Sequence, residues 1–140
     1  MKLNVRAGSL MLAASLAATV RPAVSAELLV FEQAGCPYCL KFDMEIAPDY
    51  AQSEVGRRAP LRRVDIFDDR RGGYDDIEPA VFTPTFVMID DAGEEVGRLQ
   101  GYPGRRYFYG EIQPMFDRLA ATDQASKGAA RPAGPASRQE

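Results

Sequence analysis

The chain has 140 residues, of which 46% are hydrophobic and 26% charged, and this is enough for one folded domain. The composition is too apolar for a wholly disordered chain, and no apolar run has the length of a confident transmembrane helix. The absence of histidine excludes hydrolase chemistry built on a serine–histidine or cysteine–histidine pair within this chain. The two cysteines, Cys36 and Cys39, are therefore the most informative residues.

Residues 1–26 are predicted to be a secretory signal peptide. Lys2 and Arg6 form a basic start, residues 7–20 are small and apolar, and Val24-Ser25-Ala26 supplies the small residues that a signal peptidase requires. The alternative is a buried N-terminal helix or an uncleaved anchor, but the apolar stretch is shorter than the ~20 residues of a spanning helix. Cleavage after Ala26 changes the net charge from −3 to −6, because it removes three basic residues and no acidic one. This acidity argues against nucleic acid as a partner.

The other end of the chain lacks the residues that build a core. No Val, Ile, Leu, Phe or Tyr follows Leu119, and the remaining stretch is rich in Ala, Gly, Pro, Ser and scattered charges. Such a segment buries too little apolar surface to order itself. We therefore expect residues 27–120 to form the domain and residues 121–140 to form a disordered tail.

Between these ends, the pattern alternates strands and helices. Residues 28–31 form a continuous apolar run typical of a buried strand, and a helix is expected from Cys36, with Pro48 kinking or restarting it before Arg57. The later elements are a strand over 61–66, a loop over 68–73, a short helical piece up to Pro79, strands over 85–89 and 95–100, and a closing helix that Pro114 kinks or splits.

This order of elements predicts an α/β fold. The first two strands are joined by a helical crossover and should be parallel, whereas the last two form an antiparallel hairpin. The prediction is a four-stranded mixed sheet flanked by helices.

Cys36-Pro37-Tyr38-Cys39 begins where a buried strand ends and a helix starts. The N-terminus of a helix presents unpaired amides and partial positive charge, which stabilise a thiolate at Cys36. Pro37 suits the first helical turn because its missing N–H would have no partner there. Cys39 returns to the same face, so the two cysteines can close a disulfide. We predict that Cys36 is the attacking thiolate and that Cys39 is the more buried resolving thiol.

Two other interpretations of the cysteine pair remain open. A purely structural disulfide would constrain the unfolded chain little, because its loop is very short. A metal site would be half filled by two thiolates without histidine, unless two chains share it. The alternative function is therefore a secreted metal carrier or cluster-binding protein that uses the pair in a dimer. The position of the pair between a strand and a helix favours the redox role. We therefore expect no metal ligand and no cofactor in the single chain.

Thr83-Pro84 directly precedes the strand predicted over residues 85–89, which is an unusual place because proline cannot donate to the sheet. An ordinary trans proline at the first residue of a strand is the default interpretation. Together with the cysteine motif upstream, the arrangement resembles the thioredoxin superfamily over almost all of residues 27–120. The resemblance implies a thioredoxin-like fold in which Pro84 is a cis-proline beside the active-site disulfide.

The same resemblance implies a substrate groove. Thr83, the residue before the cis-proline, would lend its backbone to the bound partner chain, and Gly101 and Tyr102 would border the groove. The predicted groove residues are Pro37, Tyr38, Thr83 and Pro84.

The motif C-P-Y-C is similar to that of glutaredoxins, whereas residues 85–90 and 97–102 are similar to secreted thioredoxin-like reductases. Thr83, where glutaredoxins usually have valine, and Asp90-Asp91, where they have a glycine pair, put glutathione binding in doubt. The chain most resembles the thioredoxin-like proteins encoded with bacterial sulfur-oxidation (Sox) clusters. That resemblance implies a periplasmic thiol-disulfide oxidoreductase. It would be a reductase that cleaves disulfide adducts on a partner protein, such as a sulfur carrier of thiosulfate oxidation, and a membrane thiol electron donor would restore its dithiol.

Overall fold

The computed structural model describes residues 25–129, so most of the predicted signal peptide and residues 130–140 of the predicted tail lie outside the described residues. The elements in chain order are β1 (Glu27–Glu32), α1 (Pro37–Glu45), α2 (Ala47–Tyr50), α3 (Glu54–Arg58), β2 (Leu61–Asp65), β3 (Thr85–Ile89), β4 (Glu95–Gln100) and α4 (Arg105–Ala129). Within residues 25–129, none of the helices combines the length and the apolar character needed to span a membrane.

The four strands form one sheet in the order β2-β1-β3-β4. β1 pairs with β2 in parallel, whereas β3 pairs with both β1 and β4 in the antiparallel sense. The predicted α/β fold with a four-stranded mixed sheet and flanking helices is therefore confirmed.

Side chains of β1 alternate between two buried cores, as the pleat of a strand requires. Leu28 and Val30 face the larger core, which all four helices cover, and Leu29 and Phe31 face a smaller core closed by the segment between β2 and β3. All four side chains are fully buried. Burial on both faces explains why the sequence of β1 is a continuous apolar run rather than an alternating one.

Phe42 of α1 lies at the centre of an aromatic cluster in the larger core. Its ring centroid is 4.9 Å from that of Phe86 in β3, 5.4 Å from that of Phe108 in α4 and 5.8 Å from that of Tyr102. Edge-to-face and tilted pairs at these separations add to the stability that burial alone provides. The cluster fixes α1, and with it the cysteine motif, against the sheet.

The crossover from β1 to β2 consists of three short helices rather than one kinked helix. Pro48 lies in the first turn of α2, where proline starts a helix without losing a hydrogen bond. Ser53 caps α3, because its hydroxyl oxygen accepts from the backbone N–H of Gly56 at 3.0 Å. The predicted restart at Pro48 is thus confirmed, and Ser53 provides a second restart that was not predicted.

Replacing Gly56 by alanine is expected to lower the free energy of unfolding by about 1–3 kcal/mol, although alanine favours helices. A Cβ atom at residue 56 would lie 1.8 Å from the backbone oxygen of Tyr50, which is too close for any real contact. Gly110→Ala is the matched control, since nothing lies within 4 Å of the Cβ position in α4. Urea unfolding of both variants would contradict the expectation if Gly56→Ala were as stable as Gly110→Ala.

The closing helix differs from the expectation in two ways. α4 is not split at Pro114, because Phe108, Ile112, Met115 and Leu119 pack one face of both halves into the core. The helix also continues to Ala129, so residues 121–129 are helical rather than part of a disordered tail. An anchor there comes from a distant residue: the Nε of Arg58 donates to Asp123 at 2.8 Å, a contact that local composition cannot reveal.

The predicted short helical piece before Pro79 is also wrong, since residues 66–84 form turns and irregular structure. This segment is nevertheless held against the sheet. Gly72 has a φ of +60° and packs close to Leu29, and the hydroxyl of Tyr74 donates to Glu27 of β1. Burial opposes ionisation of Glu27, but hydrogen bonds from Arg62 and Tyr74 outweigh it and hold the pKa of this carboxyl below its usual value.

Ala26, the residue before the predicted boundary at Glu27, also packs against the domain. Ala26 is buried in the larger core, and its backbone N–H donates to Asp91 at 2.8 Å. The sequence pattern for a cleavage site contains no information about such packing.

Candidate active site

Three chain segments meet at one edge of the sheet. Phe31 in β1 pairs with Thr85 in β3, and Thr85 pairs with Gln100 in β4. The backbone N–H of Gly101 donates to the carbonyl oxygen of Pro84 at 2.7 Å. The end of β1, the start of β3 and the end of β4 therefore lie side by side, and a three-residue connection leads from β1 to Cys36.

Cys36 and Cys39 form a disulfide with a Cα–Cα distance of 5.3 Å. Cys36 is the N-cap residue of α1, and its Sγ accepts from the backbone N–H of Cys39 at 3.1 Å. Both cysteines are 5% exposed, so exposure does not distinguish the attacking from the resolving sulfur as expected from the sequence. The position of Cys36 at the N-terminus of the helix is the feature that favours it as the thiolate.

The other predicted groove residues belong to α1 and to the segment that leads into β3. Pro37 occupies the first turn of α1, and the side chain of Tyr38 is 59% exposed, so it is open to solvent rather than packed over the helical turn. The Thr83–Pro84 peptide bond is cis, with Thr83 half-buried and Pro84 buried at the start of β3.

The side chain of Tyr102, which the resemblance places at the border of the groove, points into the core. Its ring is buried in the larger core, and its hydroxyl donates to Glu45 at 2.7 Å. This hydrogen bond is the main reason that the pKa of Glu45 is lowered. Tyr102 thus ties the end of α1 to the loop after β4, next to Gly101, which bonds Pro84.

A cavity of about 230 Å³ opens beside the disulfide. Both cysteines line it together with three carboxylates, those of Glu32, Asp43 and Asp65. Arg63 in β2 joins two of these acids, with contacts of 2.6 Å to Glu32 and 2.7 Å to Asp43. One arginine against three carboxylates leaves the walls of the cavity negatively charged. Sequence analysis missed this arrangement because its members come from β1, α1 and β2.

Replacing Glu32 by glutamine is expected to raise the reduction potential of the Cys36–Cys39 pair by up to about 30 mV, which corresponds to a tenfold change in the equilibrium constant. A carboxylate facing the cysteines disfavours a thiolate and hence the reduced form. Equilibration with glutathione at about pH 8, where cysteine thiols are partly ionised, measures the change. Glu111→Gln, on the exposed side of α4, is the control, and an equal or lower potential for Glu32→Gln would contradict the expectation.

A second cavity, of about 300 Å³, lies next to the first and shares Gln33 with it. Ile66, Phe67, Ala80 and Val81 give it an apolar lining, and Arg70 completes it. No sequence motif marks this cavity. The available signal is Val81-Phe82 immediately before Thr83-Pro84, because these are two large apolar residues in a segment without regular structure.

In residues 25–129, no three Cys, Asp or Glu side chains come together in a way that would hold a metal ion. The carboxylates and cysteines of the first cavity thus share a cavity without forming such a group. The arrangement can perform thiol–disulfide exchange, because a disulfide at a helix N-terminus borders an open cavity.

Comparison with known proteins agrees with this geometry. A family model described as a thioredoxin-like domain matches residues 17–114, and the chain therefore belongs to the thioredoxin-like family. It is a thioredoxin-like oxidoreductase with a closely spaced cysteine pair, the class of enzyme that exchanges thiols and disulfides. No curated protein matches the chain.

Solved structures that are similar to the chain include two thioredoxins. The periplasmic thioredoxin SoxS from Paracoccus pantotrophus, in its reduced form, is 37% identical, with a TM-score of 0.56 over 66% of this chain and 97% of that one. A thioredoxin from Thermus thermophilus is 27% identical, with a TM-score of 0.50 over 70% of this chain and 78% of that one.

Proposed function

We propose that this protein is a periplasmic reductase that cleaves a disulfide, or a disulfide adduct, on a partner protein through the Cys36–Cys39 dithiol. The observation that carries the proposal is the position of the pair. Cys36 caps α1 at the sheet edge where the cis Thr83–Pro84 bond and Gly101 also lie. Pro37, Tyr38, Thr83 and Pro84 would form the groove that receives the partner chain.

The reaction proceeds in two exchanges. The Cys36 thiolate attacks one sulfur of the partner disulfide, so a Cys36–partner bond forms, the partner disulfide breaks and one partner thiolate leaves. The Cys39 thiol then gives its proton to solvent and attacks the Sγ of Cys36, and the second partner thiolate leaves. The partner gains two electrons and takes up protons at its sulfurs, while this protein is left with the Cys36–Cys39 disulfide.

The carboxylates beside the disulfide support the reductive direction, whereas the helix N-terminus acts in the opposite sense. The helix N-terminus stabilises a thiolate at Cys36, which makes it reactive. The carboxylates of Glu32, Asp43 and Asp65, only partly neutralised by Arg63, act in the opposite sense and destabilise the reduced pair. A dithiol that is less stabilised gives up its electrons more readily, as a reductase requires.

The periplasmic location is supported by the signal-like sequence of residues 1–26 and by the printed description of SoxS as a periplasmic thioredoxin. A sulfur carrier of thiosulfate oxidation is the proposed partner, as the resemblance to proteins of sulfur-oxidation clusters implies. A bacterial periplasm is kept oxidising, so a membrane thiol electron donor must supply the two electrons that restore the dithiol.

Trapping of a mixed disulfide tests the proposal. In the Cys39→Ser variant, the resolving sulfur is absent, so a partner attacked by Cys36 stays attached until a reductant releases it. We expect a Cys36-dependent adduct from the periplasm of the native bacterium, with Cys36→Ser as the control. A sulfur carrier as the dominant partner would support the specific proposal, and no adduct beyond that of the control would contradict it.

A further inference from the structure

The segment between β2 and β3 presents large apolar side chains to solvent. Phe67 is 80% exposed, Phe82 is 59% exposed and Val81 is 55% exposed. We call these three residues the apolar ledge. Monomeric proteins rarely expose a large group of apolar side chains, and such a group often marks an interaction surface.

The ledge is exposed although the segment that carries it is well anchored. The backbone N–H of Ala80 donates to the carbonyl oxygen of Arg70 at 2.7 Å, and the Nε of Arg70 donates back to Ala80 at 2.8 Å. Ile77 and Ala80 are buried in the smaller core. The segment that carries the ledge is therefore fixed to the domain, and a partner could contact the ledge without any rearrangement of the fold.

The ledge continues directly into the candidate active site. Phe67 and Val81 line the second cavity, which shares Gln33 with the cavity beside the disulfide. Phe82 immediately precedes the cis Thr83–Pro84 bond. A chain whose sulfur is bonded to Cys36 would therefore have the ledge within reach of its neighbouring residues.

The charge around the ledge is negative. Asp65, Asp68 and Asp69 flank Phe67 in the chain, and the carboxylate of Asp65 accepts from the backbone N–H of Phe67 at 2.9 Å. Arg70 lines the second cavity and donates to the carbonyl oxygen of Ala80. Glu32 and Asp43 line the first cavity, where Arg63 contacts both of them. Arg105 and Arg106 follow β4, which lies at the opposite side of the sheet from β2. The β2 side of the active edge is thus acidic.

We propose that the apolar ledge and its acidic surroundings are the docking surface for a partner protein whose reactive cysteine lies beside an apolar residue and basic residues. This inference rests on the proposed function, and it adds the chemistry of the partner. The charges are complementary, so lysine or arginine beside the partner cysteine is attracted to the β2 side. Basic neighbours also stabilise the partner thiolate, and a stabilised thiolate leaves faster when Cys39 attacks.

The test uses the reduced mature protein and peptide dimers joined by their single disulfide, so that attack on either sulfur gives the same product. One peptide has leucine and two lysines near its cysteine, a second has glutamates in place of the lysines, and a third has serine in place of leucine. The release of peptide thiol gives the second-order rate constant. We expect the lysine peptide to react about tenfold faster than the glutamate peptide at low salt, with a smaller ratio at about 0.5 M salt.

Each variant of the ledge is paired with a control variant elsewhere, which shows whether a change in rate comes from the ledge itself. Phe67→Ser is expected to lower the rate constant for the leucine peptide about fivefold and to change that for the serine peptide little. Met44→Ser, at a position on α1 that is 72% exposed, should change neither rate constant. Asp68→Lys should reduce the preference for lysine over glutamate, and Glu111→Lys on α4 should leave it unchanged. Thermal melting of each variant verifies the fold.

The outcomes distinguish the inference from the proposed function. Equal rates for the lysine and glutamate peptides, or equal effects of Phe67→Ser on the leucine and serine peptides, would overturn the docking surface while leaving the reductase intact. A further outcome is that the wild-type protein reduces none of the peptides and also fails to reduce the small compound hydroxyethyl disulfide. That result would overturn both the proposed function and the docking surface.

Discussion

Replacement of Cys36 by serine is expected to reduce the rate of disulfide cleavage by at least about a thousandfold, because a serine hydroxyl cannot replace the thiolate that attacks the disulfide. The effect is large because both exchanges in the reaction pass through the Cys36 sulfur. Stopped-flow or quenched measurements with a peptide disulfide give the rate, and the peptide and the protein can be followed separately by mass spectrometry.

Cys39→Ser gives a contrasting expectation on the same helix. The first exchange should retain most of its rate, and the reaction should then stop with one peptide bound to each protein molecule. This pattern assigns attack to Cys36 and resolution to Cys39, a division that the equal 5% exposure of the two residues does not provide. If the Cys36→Ser variant accumulated the adduct instead, the two roles would be reversed.

Phe42→Ala is expected to lower the free energy of unfolding by about 3–5 kcal/mol, a large part of the stability of a domain this size. The ring is fully buried and touches aromatic rings from β3, α4 and the loop after β4. Its removal leaves a cavity that these rings cannot fill without moving. Because Phe42 also fixes α1, the active site should lose its geometry as the domain loosens.

Urea unfolding monitored by circular dichroism measures this effect, with Met44→Ala as the control on the same helix. Met44 is 72% exposed, so its truncation should change the free energy of unfolding by less than about 0.5 kcal/mol. A loss below about 1 kcal/mol for Phe42→Ala would show that the aromatic cluster does not hold α1 in place.

The sheet was predictable because its strands carry strong local signals. Residues 85–89 and 95–100 were predicted with the bounds that the structure has, since one run is continuously apolar and the other follows a clear turn at Asp90-Asp91. The cysteine motif was also readable, because its spacing and its place after β1 depend on neighbouring residues alone. These features needed no knowledge of distant contacts.

Two of the features that were not predicted depend on contacts between residues far apart in sequence. The helix beyond Leu119 was not expected, because its ion pair with Arg58 joins residues 65 positions apart. Likewise, the carboxylates around the first cavity come from three elements that only folding brings together. The apolar ledge was missed for a different reason: the turns that expose Phe67 and Phe82 have no periodic pattern.

The reduction potential of the Cys36–Cys39 pair is the measurement that tests the central claim most directly. The oxidised and reduced protein can be equilibrated with thiol buffers of known potential and separated by their mass after alkylation. A reductase is expected to have a potential well below the roughly −120 mV of a strong periplasmic oxidant. A value near that figure would mean that electrons flow from the partner to this protein, and the proposed direction of the reaction would be wrong.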